Sequence, residues 1–180
     1  RNKALLPWRD STFIETILRN YRNLLCRPMI VVLNRDAGLV EQRIFGEDIL
    51  IGRNENPQSE MIESIRIGVA LLPDDISAFY LHPVDHPAVT FDTLVKLQEF
   101  WSKSPEKAYK PVFRNRGGHP VLLGRLWAAR IAQSPENATL REILQVWKDE
   151  VVAVPVEDPG VLLNVNHPED YQNIKGFEKL

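Results

Sequence analysis

The stretch PMIVVLN, from Pro28 to Asn34, decides the fold class of this chain. It is a continuous run of large apolar residues, half of them β-branched, and no polar residue alternates with them. A strand that is buried on both faces has this pattern, and such strands are typical of parallel sheets. The stretch therefore predicts one strand of a parallel sheet that is covered on both sides.

Outward from this run, predicted helices and strands alternate. Asp10, Ser11 or Thr12 is positioned to cap a helix before it, and an amphipathic helix begins near Met61 after it. Further strands are predicted at 48–52 (DILIG), 76–81 (ISAFYL), 108–113 (AYKPVF), 151–156 (VVAVPV) and 161–165 (VLLNV). Such alternation predicts an α/β fold of three layers, a three-layer sandwich around a mainly parallel sheet.

Some local signals make sharper predictions. Pro111 has no N–H to donate, so strand 108–113 is expected at an edge or a bulge of the sheet. The segment from Leu122 to Ile131 is predicted to be helical. A capping box at 139–142 opens another helix, and Pro168 begins the last one.

Composition excludes several classes of protein. The chain has 180 residues, of which 44% are apolar and 26% charged, and we expect one domain, 1–180. Its net charge of -2 gives no reason to expect nucleic acid or an anionic membrane as a partner. No apolar run reaches the length of a membrane span. The single cysteine, Cys26, fits a reducing, cytoplasmic setting and is better read as a small core residue than as a nucleophile.

Asp85 stands between two prolines just after the predicted strand 76–81. Proline ends a strand, so this carboxylate is expected at a strand's carboxyl end, where open α/β sheets usually bind ligands. Two interpretations remain open at this point. Asp85 is either a turn residue that bonds its own backbone or a metal ligand.

Two other stretches combine charge or glycine with an exposed position. Lys3 lies just ahead of an apolar turn and is either a solvated charge or a phosphate-binding cation. In RNRGGHPVLL, 114–123, two glycines would let the backbone approach a ligand closely, although a solvated turn has the same composition.

The stretch LLNVNHPED, 162–170, carries two asparagines around one valine. Asn164 and Asn166 should point to the same side of an extended segment. Asn166 or His167 is also positioned to cap the helix that begins at Pro168.

Familiar catalytic motifs are missing from the sequence. The four histidines match no zinc signature, and hard oxygen ligands such as Asp and Asn suit magnesium better than zinc. There is no Walker motif and no dinucleotide-binding glycine fingerprint. Ser64 lies in a predicted helix and lacks the elbow of a serine nucleophile.

Taken in order, five stretches resemble the MobA-like nucleotidyltransferases, and in particular their molybdenum cofactor cytidylyltransferase branch. The resemblance extends over nearly the whole chain and implies a Rossmann-like nucleotidyltransferase (GT-A-like) fold. The stretches are NKALLPW (2–8), NPQSEMIESIRIG (56–68), PVDHPAVTFDTL (83–94), RGGHPVLLG (116–124) and VEDPGVLLNVNHPEDY (156–171).

The resemblance implies roles for individual residues around the phosphates. Asp85 matches the aspartate that holds Mg²⁺ between the nucleotide and the incoming phosphate. Asn166 is the nearest match to a second metal contact. Lys3 matches the lysine of the N-terminal signature that binds phosphates, and Lys3 and Asp85 are the expected catalytic residues.

The same resemblance implies positions for the two substrates. Ser64 matches a serine near the nucleotide base, and Gly118 and His119 match the region near the second substrate. The implied reaction transfers CMP from CTP to the terminal phosphate of molybdopterin and releases pyrophosphate. The alternatives are GTP as the nucleotide, another phosphorylated acceptor, or a non-catalytic module that binds nucleotide or cofactor for a molybdoenzyme or its chaperone.

Departures from the family pattern keep these alternatives open. Val84 stands in place of a glycine, His86 in place of a methionine, and Glu63 in place of a small residue. The family's first strand and glycine-rich phosphate loop are expected ahead of Lys3. They would amount to about 10 to 20 residues, with the strand placed next to Pro28–Asn34.

Overall fold

Three helices begin at threonines whose side chains cap the first turn. Thr12 accepts a hydrogen bond from the Glu15 N–H, and the Glu15 carboxylate accepts one from the Thr12 N–H at 3.0 Å. The same reciprocal capping box links Thr139 and Glu142. Thr90 caps a third helix through the N–H three residues on. The sequence therefore sets these helix starts locally, by satisfying donors that have no partner within the helix.

The computed structural model describes residues 2–44 and 46–175. The helices are α1 (Phe13–Asn23), α2 (Gly38–Glu41), α3 (Met61–Ala70), α4 (Phe91–Trp101), α5 (Leu126–Ala132), α6 (Leu140–Val146) and α7 (Pro168–Lys175). The strands are β1 (Pro7–Trp8), β2 (Ser11–Thr12), β3 (Met29–Asn34), β4 (Ile49–Asn54), β5 (Ala78–Leu81), β6 (Ala108–Phe113), β7 (Arg116–Gly117), β8 (Val121–Gly124) and β9 (Val151–Pro155). Short 3₁₀ turns span Lys3–Leu5, Lys148–Glu150 and Pro159–Leu162. None of the helices in these ranges is long and apolar enough to cross a membrane.

The longer strands are mainly parallel. β3 pairs with β4 in parallel over six residue pairs, from Met29 opposite Ile49 to Asn34 opposite Asn54. These two strands form the first sheet. In the second sheet β6 pairs in parallel with β9, and both β5 and β6 run antiparallel to β8. Hence β5, β6 and β9 share one direction, and β8 is reversed between β5 and β6.

Helices cover both faces of the β5–β8–β6–β9 sheet. Leu122 belongs to a buried cluster with residues of α1 and α4, whereas its neighbour Leu123 belongs to a cluster with residues of α3, α5 and α6. Successive side chains on a strand point to opposite faces, so these two clusters are the two sides of one sheet. The predicted three-layer α/β fold with a mainly parallel sheet is confirmed.

The strand that contains Pro111 is not at an edge, so the edge alternative of that prediction is wrong. β6 lies between β8 and β9. The pairing of β6 with β8 ends at Tyr109, and the Pro111 carbonyl accepts from the Gly118 N–H at 2.8 Å, on the side away from β9. The missing N–H of Pro111 therefore lies where no ladder bond is needed, and the strand tolerates it.

Two other apolar segments differ from their predictions. Residues 121–124 form strand β8, and the helix predicted from Leu122 begins only at Leu126. A short apolar run has no periodicity that separates a buried strand from a buried helix. The segment 161–165 is not a strand, because a 3₁₀ turn that starts at the Asp158 cap occupies its first half.

In the first sheet β3 pairs with β4, and in the second β5 pairs with β8. Within the described ranges, no hydrogen-bonded strand joins β3 to β5. The strand expected ahead of Lys3 stays a prediction.

A third buried cluster joins the two ends of the described chain. Trp8 and Phe13 pack there against Val165 and Ile174, and the Trp8 and Phe13 rings meet edge to face with centroids 6.3 Å apart. The Tyr171 hydroxyl donates to the Pro7 carbonyl at 2.9 Å. These contacts hold the segment before α7 close to the segment that contains Lys3.

Asp158 is a buried carboxylate that fixes the start of α4. Its Oδ2 accepts hydrogen bonds from the Thr90 N–H and the hydroxyls of Thr90 and Thr93, at 2.9, 2.9 and 2.7 Å. Its Oδ1 accepts from the Gly160 N–H at 2.8 Å. Gly160 itself packs so closely that a Cβ there would lie 2.2 Å from the Ala88 carbonyl oxygen. The 158–162 segment is thus locked onto the chain between β5 and α4.

Asp158→Ala should therefore lower the free energy of unfolding by about 3 kcal/mol, because it leaves several buried donors without an acceptor. Urea unfolding monitored by tryptophan fluorescence measures this change. Asp75→Ala is the matched control, since Asp75 is exposed, and its effect should stay within about 0.5 kcal/mol. Equal effects for the two variants would contradict the role of Asp158.

Candidate active site

A four-residue turn follows β5 and carries Asp85 at its third position. The His86 N–H donates to the Pro83 carbonyl at 3.2 Å and closes the turn. The Asp85 carbonyl accepts from the Val165 N–H at 2.9 Å. The turn is therefore held by its own backbone and by the chain just ahead of α7.

The Asp85 carboxylate takes no part in building this turn. No hydrogen bond or ion pair to it from the described residues is found, and its side chain is partly exposed. The chain turns at Asp85, as the turn interpretation predicts, but the expected bond from the Asp85 side chain to its own backbone is not found among the described residues. The side chain remains available to a ligand, so the metal interpretation is compatible with it.

Lys3 and Asn166 meet although 163 positions separate them. Lys3 opens the 3₁₀ turn Lys3–Leu5, which Asn2 caps by accepting from the Ala4 N–H at 3.0 Å. The Lys3 ammonium donates to the Asn166 Oδ1 at 2.8 Å. Because Asn166 directly follows Val165, which is bonded to Asp85, the three predicted site residues lie on adjoining segments.

The expected role of Asn166 as a helix cap is wrong for its side chain. Asp170 reaches back from α7 and accepts from the N–H groups of Asn166 and His167 at 2.9 and 2.8 Å. These backbone hydrogen bonds lower the pKa of Asp170. Asp170 thus ties the two residues just ahead of α7 to its first turn, and the Asn166 amide oxygen is left to face Lys3.

Gly118 and His119 are attached to the same region through the 3₁₀ turn 159–162. The His119 N–H donates to the Val161 carbonyl at 2.9 Å, and a Cβ on Gly118 would lie 2.2 Å from that carbonyl oxygen. The His119 ring packs on the ring of His86, with centroids 4.8 Å apart. The segment predicted to face the second substrate is therefore in direct contact with the turn that carries Asp85.

Ser64 lies in a different polar cluster, at the carboxyl end of β4. Buried Asn54 donates to the Ser59 and Ser64 hydroxyls at 2.7 and 2.8 Å. Within the described ranges, no hydrogen bond links Ser64 to Asp85 or Lys3. The predicted role of Ser64 near a base stays a prediction. Asn54 is not among the site residues predicted from the sequence, although the carboxyl ends of strands in α/β sheets are where ligands usually bind.

Histidines near the site are neutral at pH 7. Burial lowers the pKa of His82 to about 3 and that of His119 to about 4. Burial also lowers the pKa of His86, against the opposing influence of the Asp85 carboxylate. These three rings therefore supply no positive charge, whereas the Lys3 ammonium does.

The oxygen donors at the site suit a small, hard cation. Asp85 offers a carboxylate to which no described residue is hydrogen-bonded, and Asn166 offers an amide oxygen that the Lys3 ammonium contacts. Within the described part of the chain, no group of three or more His, Cys, Asp or Glu residues is arranged to enclose a metal. Magnesium is usually held by one or two protein oxygens together with substrate phosphates and waters, so these residues fit Mg²⁺ as a substrate-bridging ion.

Comparison with known proteins places this chain in a family. The sequence model of the MobA-like NTP transferase domain matches residues 1–153. Molybdenum cofactor cytidylyltransferase of Escherichia coli is 24% identical over 173 residues, which cover 96% of this chain and 86% of that protein.

Solved structures share the fold. Rv0371c of Mycobacterium tuberculosis superposes with a TM-score of 0.78 at 21% identity, over 97% of this chain and 89% of that one. A complex of Rv0371c with manganese has a TM-score of 0.73 at 20% identity, over 97% of this chain and 91% of that one. A nucleotidyl transferase from Methanothermobacter has a TM-score of 0.79 at 22% identity, over 97% of this chain and 84% of that one. At these identities the likeness establishes the fold.

The neutral histidines make stability depend on pH. In the unfolded chain their pKa values return to about 6.5, so the unfolded state takes up protons below that pH that the folded state does not. The free energy of unfolding should therefore fall as pH is lowered from 7 to 5, by up to about 1.4 kcal/mol per pH unit for each histidine of this kind. Urea unfolding across this range measures the slope.

His119→Gln should reduce that slope by the contribution of one histidine, even if the substitution also changes the free energy of unfolding at pH 7. A free energy of unfolding that is constant between pH 7 and pH 5 would show that these rings are not held neutral.

Proposed function

Because the chain belongs to the MobA-like NTP transferase family, we propose that it is a magnesium-dependent cytidylyltransferase. It transfers CMP from CTP to the terminal phosphate of a molybdopterin-type acceptor and releases pyrophosphate. The choice of CTP and of this acceptor is supported by the E. coli relative, a molybdenum cofactor cytidylyltransferase. It is also supported by the RGGHPVLLG stretch, which resembles the cytidylyl branch.

The single observation that carries the proposal is that Lys3, Asp85 and Asn166 lie on segments that are joined by hydrogen bonds. The Val165 N–H binds the Asp85 carbonyl, and the next residue, Asn166, accepts from the Lys3 ammonium. A cation, a carboxylate and an amide oxygen are thus offered at one end of the sheet. Phosphoryl chemistry on a nucleotide requires this set of groups for charge neutralisation and alignment.

Each of the three side chains has a definite task in the proposal. Lys3 leaves Asn166 when nucleotide binds and places its ammonium against the phosphates, as lysine does in many phosphate sites. Asp85 and Asn166 would hold Mg²⁺, which would supply neutralisation of negative charge on the phosphates. Gly118 and His119 would contact the acceptor beside the nucleotide, and the packing of the His119 ring on His86, next to Asp85, supports this.

The proposed reaction needs no nucleophile from the protein. An oxygen of the acceptor's terminal phosphate forms a bond to the α-phosphorus of CTP, and the bond from that phosphorus to the bridging β-oxygen breaks. The two products are the cytidylylated acceptor and pyrophosphate. Neutral His86 and His119 add no charge that would compete with Lys3 or with the metal for the phosphates.

A second candidate function is a non-catalytic module that binds nucleotide or cofactor. It is favoured by Glu63, whose carboxylate lies in the first turn of α3 beside Ser64 and accepts from the Asn56 side chain at 3.3 Å. A carboxylate close to a nucleotide site either contacts the base or repels a phosphate. Repulsion would weaken turnover and leave a binding protein.

The decisive experiment supplies the full-length protein with Mg²⁺, molybdopterin and each of the four NTPs, and measures pyrophosphate release. Cytidylyl transfer predicts release that depends on the acceptor and is fastest with CTP. Equal or faster release with GTP would contradict the choice of nucleotide. Nucleotide binding without any release would favour the second candidate function.

Asp85→Asn should lower the rate of pyrophosphate release roughly a thousandfold, because loss of the metal's charge neutralisation removes several kcal/mol of transition-state stabilisation. The melting temperature should stay unchanged, since the turn is built by backbone hydrogen bonds. Asn166→Ala should have a smaller effect on the rate. Asp75→Asn, an exposed carboxylate outside the site, is the control, and a near-normal rate for Asp85→Asn would return Asp85 to a purely structural role.

A further inference from the structure

A chain of two side-chain hydrogen bonds runs from α1 to the turn that carries Asp85. The Tyr21 hydroxyl lies 2.9 Å from the Nδ1 of His82, and the Nε2 of His82 lies 2.9 Å from the carbonyl oxygen of His86. Tyr21 is on the buried face of α1, and its ring meets the His82 ring edge to face at 5.7 Å. Neither residue belongs to a motif that suggested function from the sequence.

The chemistry of the two partners fixes the direction of both hydrogen bonds. A carbonyl oxygen only accepts, so the Nε2 of His82 must carry the proton and donate. Burial keeps the imidazole neutral, with its pKa lowered to about 3, so the Nδ1 has no proton and accepts. The Tyr21 hydroxyl is therefore the donor, and burial raises its pKa far enough to keep it protonated.

The carbonyl that His82 holds is next to the proposed metal ligand. His86 follows Asp85, and its N–H already closes the turn onto Pro83. The Asp85 carbonyl is held from the other side by the Val165 N–H. The two consecutive carbonyls, of Asp85 and of His86, are thus held by different segments, the first by Val165 and the second by His82. The Cα of Asp85 therefore has little freedom to move.

We propose that Tyr21 and His82 are positioning residues that lock the Asp85 turn in the conformation that binds metal. The claim about the metal rests on the proposed function, whereas the claim about the turn does not. Tyr21 selects the His82 tautomer that donates to the turn. Without the tyrosine hydroxyl, the other neutral tautomer becomes accessible, and it would set a bare Nε2 against the His86 carbonyl.

Tyr80 provides a matched control for Tyr21. The two rings pack in the same buried cluster, with centroids 5.2 Å apart. The Tyr80 hydroxyl, however, donates to the Leu94 carbonyl of α4 at 2.8 Å and does not reach the turn. Removing either hydroxyl deletes one hydrogen bond from the same core, and only the Tyr21 hydroxyl belongs to the chain that leads to Asp85.

The first test compares Tyr21→Phe with Tyr80→Phe in the full chain, without nucleotide, by hydrogen exchange and by ¹⁵N NMR of the histidine side chains. Tyr21→Phe should raise the exchange rate of the Val165 amide roughly tenfold, which corresponds to about 1.4 kcal/mol of lost protection. The ¹⁵N shifts of His82 should change from a fixed Nε2–H tautomer to a mixture. Tyr80→Phe should alter neither, although both variants should melt at similarly lower temperatures.

A conservative variant separates the hydrogen bond from the volume of the ring. The side-chain amide of His82→Gln can donate from near the former Nε2 position, whereas His82→Leu cannot donate at all. Val165 protection should be largely kept in the glutamine variant and lost in the leucine variant. Equal loss in both variants, or equal behaviour of Tyr21→Phe and Tyr80→Phe, would overturn the proposal.

The metal is tested separately, by the Mg²⁺ concentration that gives half-maximal pyrophosphate release. Tyr21→Phe should raise that concentration several-fold while Tyr80→Phe leaves it unchanged, and no difference between them would overturn the metal part of the proposal. If the unaltered protein releases no pyrophosphate, the proposed function fails. The exchange and tautomer measurements then still decide whether Tyr21 and His82 lock the turn.

Discussion

The hydrogen bond from the Val165 N–H to the Asp85 carbonyl, 2.9 Å long, is the contact on which the arrangement of the site depends. It joins the turn after β5 to the segment before α7. Through that segment it sets Asn166 beside Lys3, which lies at the other end of the described chain. Without it, the carboxylate and the amide oxygen would have no fixed relation, and a cation that needs both would lose its site.

Packing explains why this one bond is stable. Val165 is buried in the cluster that also contains Trp8, Phe13 and Ile174, so its N–H is held in place by apolar contacts on the other side of the segment. Asp158 fixes the preceding turn to the start of α4, and the close approach of Gly118 to Val161 brings in the 116–124 stretch. Buried groups that are neutral or fully hydrogen-bonded therefore position three segments: the one around Val165, the turn that follows Asp158 and the 116–124 stretch. The exposed polar atoms of Lys3, Asp85 and Asn166 remain available for ligands.

Local signals in the sequence predicted the parts of the fold that depend on neighbouring residues. These parts are the β-branched run at 29–34, the helix cap among residues 10–12, the capping box at 139–142 and the turn between two prolines, and the structure confirms them. The strand at 121–124 and the central place of Pro111 were missed, because both depend on the ladder partners that surround β6 and β8. Sequence separation hid the link between Tyr21 and His82, which are 61 positions apart. Family resemblance suggested Lys3, Asp85 and Asn166 together. Hydrogen bonds join the segments that carry them, and their roles toward a nucleotide stay predictions.

The central claim is that these three side chains form one site for a metal ion and nucleotide phosphates. Its most direct measurement is a crystal structure of the full-length protein with Mn²⁺ and CTP, in which anomalous scattering locates the metal. The account predicts one strong peak about 2.2 Å from oxygens of both Asp85 and Asn166, within the range for hard divalent cations bound by oxygen. It also predicts that the Lys3 ammonium has left Asn166 for a phosphate oxygen. A metal bound elsewhere on the nucleotide, with Lys3 still on Asn166, would contradict the account.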